Sequence, residues 1–132
     1  MTTATRSHYD LLGGEVGVLQ LVNRFYDLMD ELPEAYELRK IHPQDSSESR
    51  AKLFKFLSGW LGGPGLYEAE YGHPRLRQRH FPFQVNSQMR DQWIMCMDLA
   101  LDEQSNDELL KLQLKQAITR LADHMRITEN QS

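Results

Sequence analysis

Residues 72–93, from Gly72 to Trp93, read GHPRLRQRHFPFQVNSQMRDQW, and the rest of the chain reads as helices arranged to hold them. Pro74 suits the first position of a helix, where its missing N–H would have no partner anyway. Phe81-Pro82 ends that helix, because a residue before proline is pushed out of the α region. The stretch thus predicts a short basic helix over 74–80, with His80 on its last turn. At helical spacing His73, Leu76, Arg77 and His80 share one face, while Arg75 and Arg79 form a second pair. A histidine beside guanidinium groups and followed by Phe81 and Phe83 offers one metal ligand, cations for carboxylates, and apolar surface. A haem needs these three things: an axial imidazole, partners for two propionates and a hydrophobic slot. A zinc site fits poorly, since His73 and His80 lie about 10 Å apart along a helix and no Cys or carboxylate set completes a tetrahedron.

Upstream, Gly62-Gly63-Pro64-Gly65 predicts a flexible connection after a helix over 46–61. On that helix Leu53, Phe56, Leu57 and Trp60 fall at 0, +3, +4 and +7, and Asp45 with Glu48 forms a capping-box-like start. Ser49 stands one turn before Leu53 on the same face. Lys52 can reach toward a propionate or stay solvated. Before it, Val18, Val22, Phe25, Tyr26 and Met29 recur at 0, +4, +7, +8 and +11, an apolar face for a helix over 15–31 entered through Gly13-Gly14. Tyr26 carries the hydroxyl on that face. It reads either as a core tyrosine bonded to a backbone carbonyl or as a donor to a bound ligand. Leu32-Pro33 breaks the helix, a short polar helical piece follows over 34–40, and His42 precedes Pro43 at a helix end.

Downstream, Met89, Trp93, Cys96, Met97 and Ala100 fall at 0, +4, +7, +8 and +11 on a helix over 87–103, with Asn86 or Ser87 as cap. Trp93 is either plain core or a large face with one N–H donor; Cys96 reads as a small packed residue rather than a nucleophile. Ser105 with Glu108 predicts a capping box for the last helix, over 107–126. Its apolar positions Leu110, Leu114, Ala117, Ile118, Leu121 and Met125 run at 0, +4, +7, +8, +11 and +15.

A chain of 132 residues with 40% hydrophobic and 26% charged residues is a single domain able to bury a core. A net charge of −4 argues against nucleic acid as partner, and the Arg75, Arg77, Arg79 cluster suits a small dianion better than a polyanion. One cysteine makes no internal disulfide, and without a CxxCH any haem is b-type and non-covalent. No apolar run of membrane-spanning length or secretory h-region occurs, so a water-soluble, cytoplasmic protein without membrane contact is the expectation. Residues 1–7 and 128–132 read as loose tails.

With Phe25-Tyr26, Phe56-Leu57, Gly62-Gly63-Pro64, Tyr67, the run from Gly72 to Phe83 and Arg90 to Met97 taken together, residues 8–127 resemble the group II truncated haemoglobins, the short 2-on-2 globins. The resemblance implies an all-α domain in which two antiparallel helix pairs, 15–31 with 46–61 and 87–103 with 107–126, sandwich haem b. It implies His80 as the proximal iron ligand and Tyr26 and Trp93 as distal donors. His42 stands where the family usually has Tyr or Phe; it adds a titratable distal donor, or else remains a surface histidine with Ile41 or Tyr36 facing inward. Further haem contacts are expected from Lys52, Leu53, Phe56, Tyr67, Leu76, Arg79, Phe83, Val85 and Ile118. The implied activity is reversible O2 binding at ferrous iron, with NO and CO as other diatomic ligands. Donors aimed at bound O2 slow its release, which suits redox chemistry such as NO conversion to nitrate, with a separate reductase, better than delivery. Two other readings stand beside it: a peroxidase-like haem enzyme using His42 as distal base, and a haem-free helical sensor or interaction module.

Overall fold

Gly13 and Gly14, at φ +106° and +69°, make the turn between the first two helices, a backbone region that side chains with a Cβ avoid. The computed structural model describes residues 7–42, 44–72 and 87–125. Helix α1, His8–Leu11, starts where the Ser7 hydroxyl accepts the Asp10 N–H at 3.1 Å. Helix α2, Gly14–Glu31, buries the apolar face read from its periodicity: Val18, Val22, Phe25, Tyr26 and Met29 all lie inside. At Leu32 the chain turns extended ahead of Pro33, as proline demands. A 3₁₀ turn, Pro33–Ala35, and helix α3, Tyr36–Lys40, follow. Then come α4, Ser47–Trp60, α5, Leu66–Tyr71, α6, Ser87–Gln104, and α7, Glu108–Met125. No strand occurs among the described residues.

Two helix pairs carry the architecture. α2 packs on α4 and α6 packs on α7, and α2 and α6 join the pairs. All four long helices meet around a void of about 10 Å³ lined by Leu12, Leu21, Leu57, Trp60, Leu61, Met97, Leu101, Leu114 and Ile118. It is apolar and no larger than one water. Each fully buried Phe, Leu or Met there contributes about 1.5–3 kcal/mol relative to exposure.

Three local expectations change. The last helix is capped by Asp107, not Ser105, because the Asp107 carboxylate accepts the Leu110 N–H at 3.0 Å while Ser105 Oγ accepts only Asp107 N–H. At α4 the Asp45 carboxylate accepts from the Ser47 N–H and hydroxyl, at 2.9 and 2.7 Å, and Glu48 turns instead to Lys52. The glycine connection is tied down rather than slack. The buried Ser58 hydroxyl donates to Pro64 O at 2.7 Å, Gly63 N–H to Ser58 O at 2.8 Å, and a Cβ on Gly63 would come within 2.5 Å of the Tyr9 ring. Directly after it comes α5, a helix the periodicity does not announce.

Candidate ligand-binding site

Phe25 is the hub of an aromatic wall. Its ring is fully buried and meets Tyr26 edge-on at 5.0 Å and Trp93 of α6 at 5.3 Å. The half-buried His42 ring stands 5.9 Å from Tyr26, again edge-on. Helical spacing on α2 and α6 places the first three rings; the break at Leu32-Pro33 turns the chain so that α3 delivers the fourth. The structure therefore brings Tyr26, His42 and Trp93 together.

Each donor is held by a different device. The Tyr26 hydroxyl donates to the backbone carbonyl of Ser49 at 3.5 Å, which is what the core reading expects but longer than an ordinary O–H···O bond. Burial pushes the phenol well above its usual pKa, with the Arg50 cation pulling the other way, so Tyr26 stays a neutral O–H donor. His42 Nδ1 lies 2.9 Å from Leu38 O. A carbonyl only accepts, so Nδ1 is the donor in this contact. The loop bearing His42 is gripped by Arg39, which donates to the His42 and Gln44 carbonyls at 3.4 and 2.8 Å and pairs with Asp30. Leu38 N–H, in turn, donates to Gln92 Oε1 at 2.9 Å, one residue before Trp93.

A second aromatic group runs along α4 and α5. Phe56 stacks on Trp60 at 6.5 Å and meets Tyr67 edge-on at 6.2 Å, and Tyr67 lies 4.8 Å from Tyr71. Leu53 and Phe56 pack partly buried against the core, and Tyr67 is buried. Lys52 is half-exposed, pairs with Glu48 at 3.1 Å and stands 5.5 Å over the Tyr71 ring. Ile118 is buried at the central void. Cys96 is fully buried and its thiol is pushed up to about 11, in keeping with a packing role. The remaining expected site residues, Leu76, Arg79, His80, Phe83 and Val85, lie outside the described residues, as does the 74–80 helix.

Sequence reading missed the polar residues that hold this wall: Arg39, Arg50, Gln92 and Gln104. Gln104 donates to Gly17 O at 3.0 Å and Leu12 O at 3.4 Å, closing the end of the α2–α6 contact. Nothing in their spacing marks them, since a polar residue on a helix flank ordinarily faces water.

A two-over-two helical body with a phenol, an indole and an imidazole gathered on one aromatic wall is the architecture of a short globin. The chain belongs to the bacterial-like globin family, whose model matches residues 7–127. It is 42% identical over 94 residues, 71% of this chain and 68% of the relative, to the group 2 truncated hemoglobin YjbI of Bacillus subtilis (strain 168). Two solved structures superimpose closely. The cold-adapted truncated hemoglobin from the Antarctic marine bacterium Pseudoalteromonas haloplanktis TAC125 matches at 46% identity and TM-score 0.89, covering 96% of this chain and 100% of that one. The group II 2-on-2 hemoglobin from the plant pathogen Agrobacterium tumefaciens matches at 43% and 0.91, covering 98% and 100%. The fold is therefore that of the truncated 2-on-2 globins, and membership implies a haem.

Proposed function

We propose that this globin binds haem b, that His80 would be the protein's ligand to its iron, and that Tyr26, Trp93 and His42 would face bound O2. Bound haem supplies an iron with an open position for a diatomic ligand and one-electron redox chemistry. The observation that carries the reading is the gathering of a phenol, an indole and an imidazole within one aromatic cluster. Tyr26 fits a ligand-facing role because, among the described residues, its buried hydroxyl has only the 3.5 Å contact to Ser49 O, and it gives up little in exchanging that bond for a shorter one. Family membership and the sequence around residue 80 support His80; Arg79 and Lys52 are the proposed propionate partners, and Leu53, Phe56, Tyr67, Leu76, Phe83, Val85 and Ile118 the apolar walls.

At about 1 kcal/mol net for each hydrogen bond, two donors slow ligand release by roughly tens-fold. Slow release favours redox use over delivery. The activity we infer is the joining of NO with O2 as nitrate, consuming one electron that a separate reductase returns, in the cytoplasm. Removing the hydroxyl in Tyr26→Phe and the indole N–H in Trp93→Phe should each speed O2 dissociation by about fivefold. If neither does, the distal assignment is wrong. A purified protein with no Soret band and no haem uptake would overturn the whole reading in favour of a haem-free module.

One observation favours a second activity. His42 stands edge-on to Tyr26 with its ring oriented by the Nδ1 contact to Leu38 O, and an imidazole so placed is the kind of group that assists O–O cleavage of peroxide. Peroxide turnover should then fall at least about tenfold in His42→Phe; equal rates would remove His42 from that chemistry.

A further inference from the structure

We propose that Arg50 is the positioning residue for the Tyr26 hydroxyl: its guanidinium locks the first turn of α4 onto α2 while lying against the Tyr26 ring, and so sets the direction and donor strength of the phenol O–H. This rests on the reading of Tyr26 as the ligand-facing donor.

Three observations carry it. The first is the density of the clamp. Arg50 Nη1 donates to Asn23 O at 3.3 Å and Asn23 Oδ1 at 3.2 Å, Nη2 to Asp27 Oδ1 at 3.0 Å, and Nε to Ser46 Oγ at 2.8 Å, with Asp30 Oδ2 3.9 Å away. Asn23, Asp27 and Asp30 form the stripe of α2 that flanks Tyr26 at helical spacing. An arginine fork can serve this set at once; a lysine's single ammonium cannot.

The second is the cation's seat. The Arg50 Cζ stands 5.5 Å from the centroid of the Tyr26 ring, within cation–π range, while Phe25 and His42 meet the same ring edge-on. The ring is thus held on several sides, and the hydroxyl swings little. A fixed positive charge beside the phenol also favours the deprotonated form against burial, which makes the O–H a stronger donor.

The third is the competing acceptor. Ser49, whose carbonyl takes the Tyr26 hydroxyl at 3.5 Å, precedes Arg50 in the turn that the clamp fastens. Arg50 therefore fixes both the donor and its alternative partner. Asp30, which neighbours Arg50, also pairs with Arg39 behind His42, so the two polar donors hang on one ion-pair frame.

The test is a cycle on haem-loaded protein: wild type, Tyr26→Phe, Arg50→Met and the double variant, read by the C–O stretching frequency of the CO complex and by O2 dissociation. Arg50→Met should move the stretch part of the way toward the Tyr26→Phe value and speed O2 release about three- to fivefold. Arg50→Lys, which keeps charge but not the fork, should fall between wild type and Arg50→Met. In the Tyr26→Phe background Arg50→Met should add nothing to either readout. Equal effects of Arg50→Met with and without the phenol would reduce Arg50 to general structural support and overturn the proposal, as would no effect in the wild-type background. If Tyr26→Phe itself moves neither readout, the ligand-facing reading of Tyr26 fails first and takes the proposal with it. Should Arg50→Met not fold, Asp27→Asn loosens the same clamp and should give a smaller shift of the same sign, again abolished by Tyr26→Phe.

Discussion

Helix α2 meets its two long neighbours by opposite means. Toward α6 it presents apolar surface: Leu21 and Phe25 meet Trp93, Met97 and Leu101 in a seam with almost no exposure. Toward α4 it adds a polar stripe, Asn23, Asp27 and Asp30, gripped by Arg50. Apolar burial has no direction; it sets how closely two helices approach and contributes most of the free energy. A hydrogen bond is narrow in angle and small in net energy, so it sets where a side chain points. The seam therefore fixes the fold, and the corner fixes the aim of Tyr26 and His42.

That division predicts a separation of effects. The largest stability loss belongs to the seam: Phe25→Ala should cost about 3–5 kcal/mol, seen as a fall in the urea midpoint. Next is Gln104→Leu, which strips a donor from the Leu12 and Gly17 carbonyls at the end of the seam; we expect about 1–2 kcal/mol in the same assay. Arg50→Met should cost about 1 kcal/mol or less, since its ion pairs are partly solvated, even though it alters ligand release. A stability loss at Arg50 as large as that at Phe25 would erase the distinction between the two regions.

The same division explains what could be read from sequence. The seam was legible because a period of 3.6 is written into one helix at a time: each of the α2 face residues Val18, Val22, Phe25, Tyr26 and Met29 is buried. Tyr26 was legible as a choice between a backbone carbonyl and a ligand, and the hydroxyl is found on the former at a distance that leaves the latter attractive. The corner was not legible. Arg50 finds its partners 23 and 27 positions away, and Gln92 reaches a backbone N–H 54 positions away; no local pattern says which remote group a polar side chain will meet. The caps failed for a neighbouring reason. Ser105, Asp107 and Glu108 all fit a helix start, and only the geometry selects the Asp107 carboxylate that reaches Leu110 N–H. Helix α5 is too short, at 6 residues, for a period to register.

The smallest expected effect comes from a residue that belongs to neither pattern. Asp98 lies on α6 directly after the fully buried Met97, and its Oδ1 is covered without a hydrogen-bond partner among the described residues. Asp27 and Asp30 in the polar corner, by contrast, both sit against guanidinium groups. Burial raises the Asp98 pKa above the ordinary carboxylate value; Lys115 opposes the shift and Asp102 adds to it. The folded chain thus binds a proton that the unfolded chain has already released. Stability falls as pH rises from the ordinary carboxylate range through the raised value, and is level above it. Asp98→Asn removes the charge, and a buried neutral amide costs less than a buried anion. The variant should therefore melt higher than wild type at neutral pH, by under about 1 kcal/mol because the carboxylate is only partly withdrawn from water. The gap should close as pH drops below about 4, where wild-type Asp98 is neutral in both states. A gain that persists unchanged at low pH, or a loss at neutral pH, would mean that the carboxylate contributes to holding α6 in place, and that the seam, like the corner, depends on a directed polar contact.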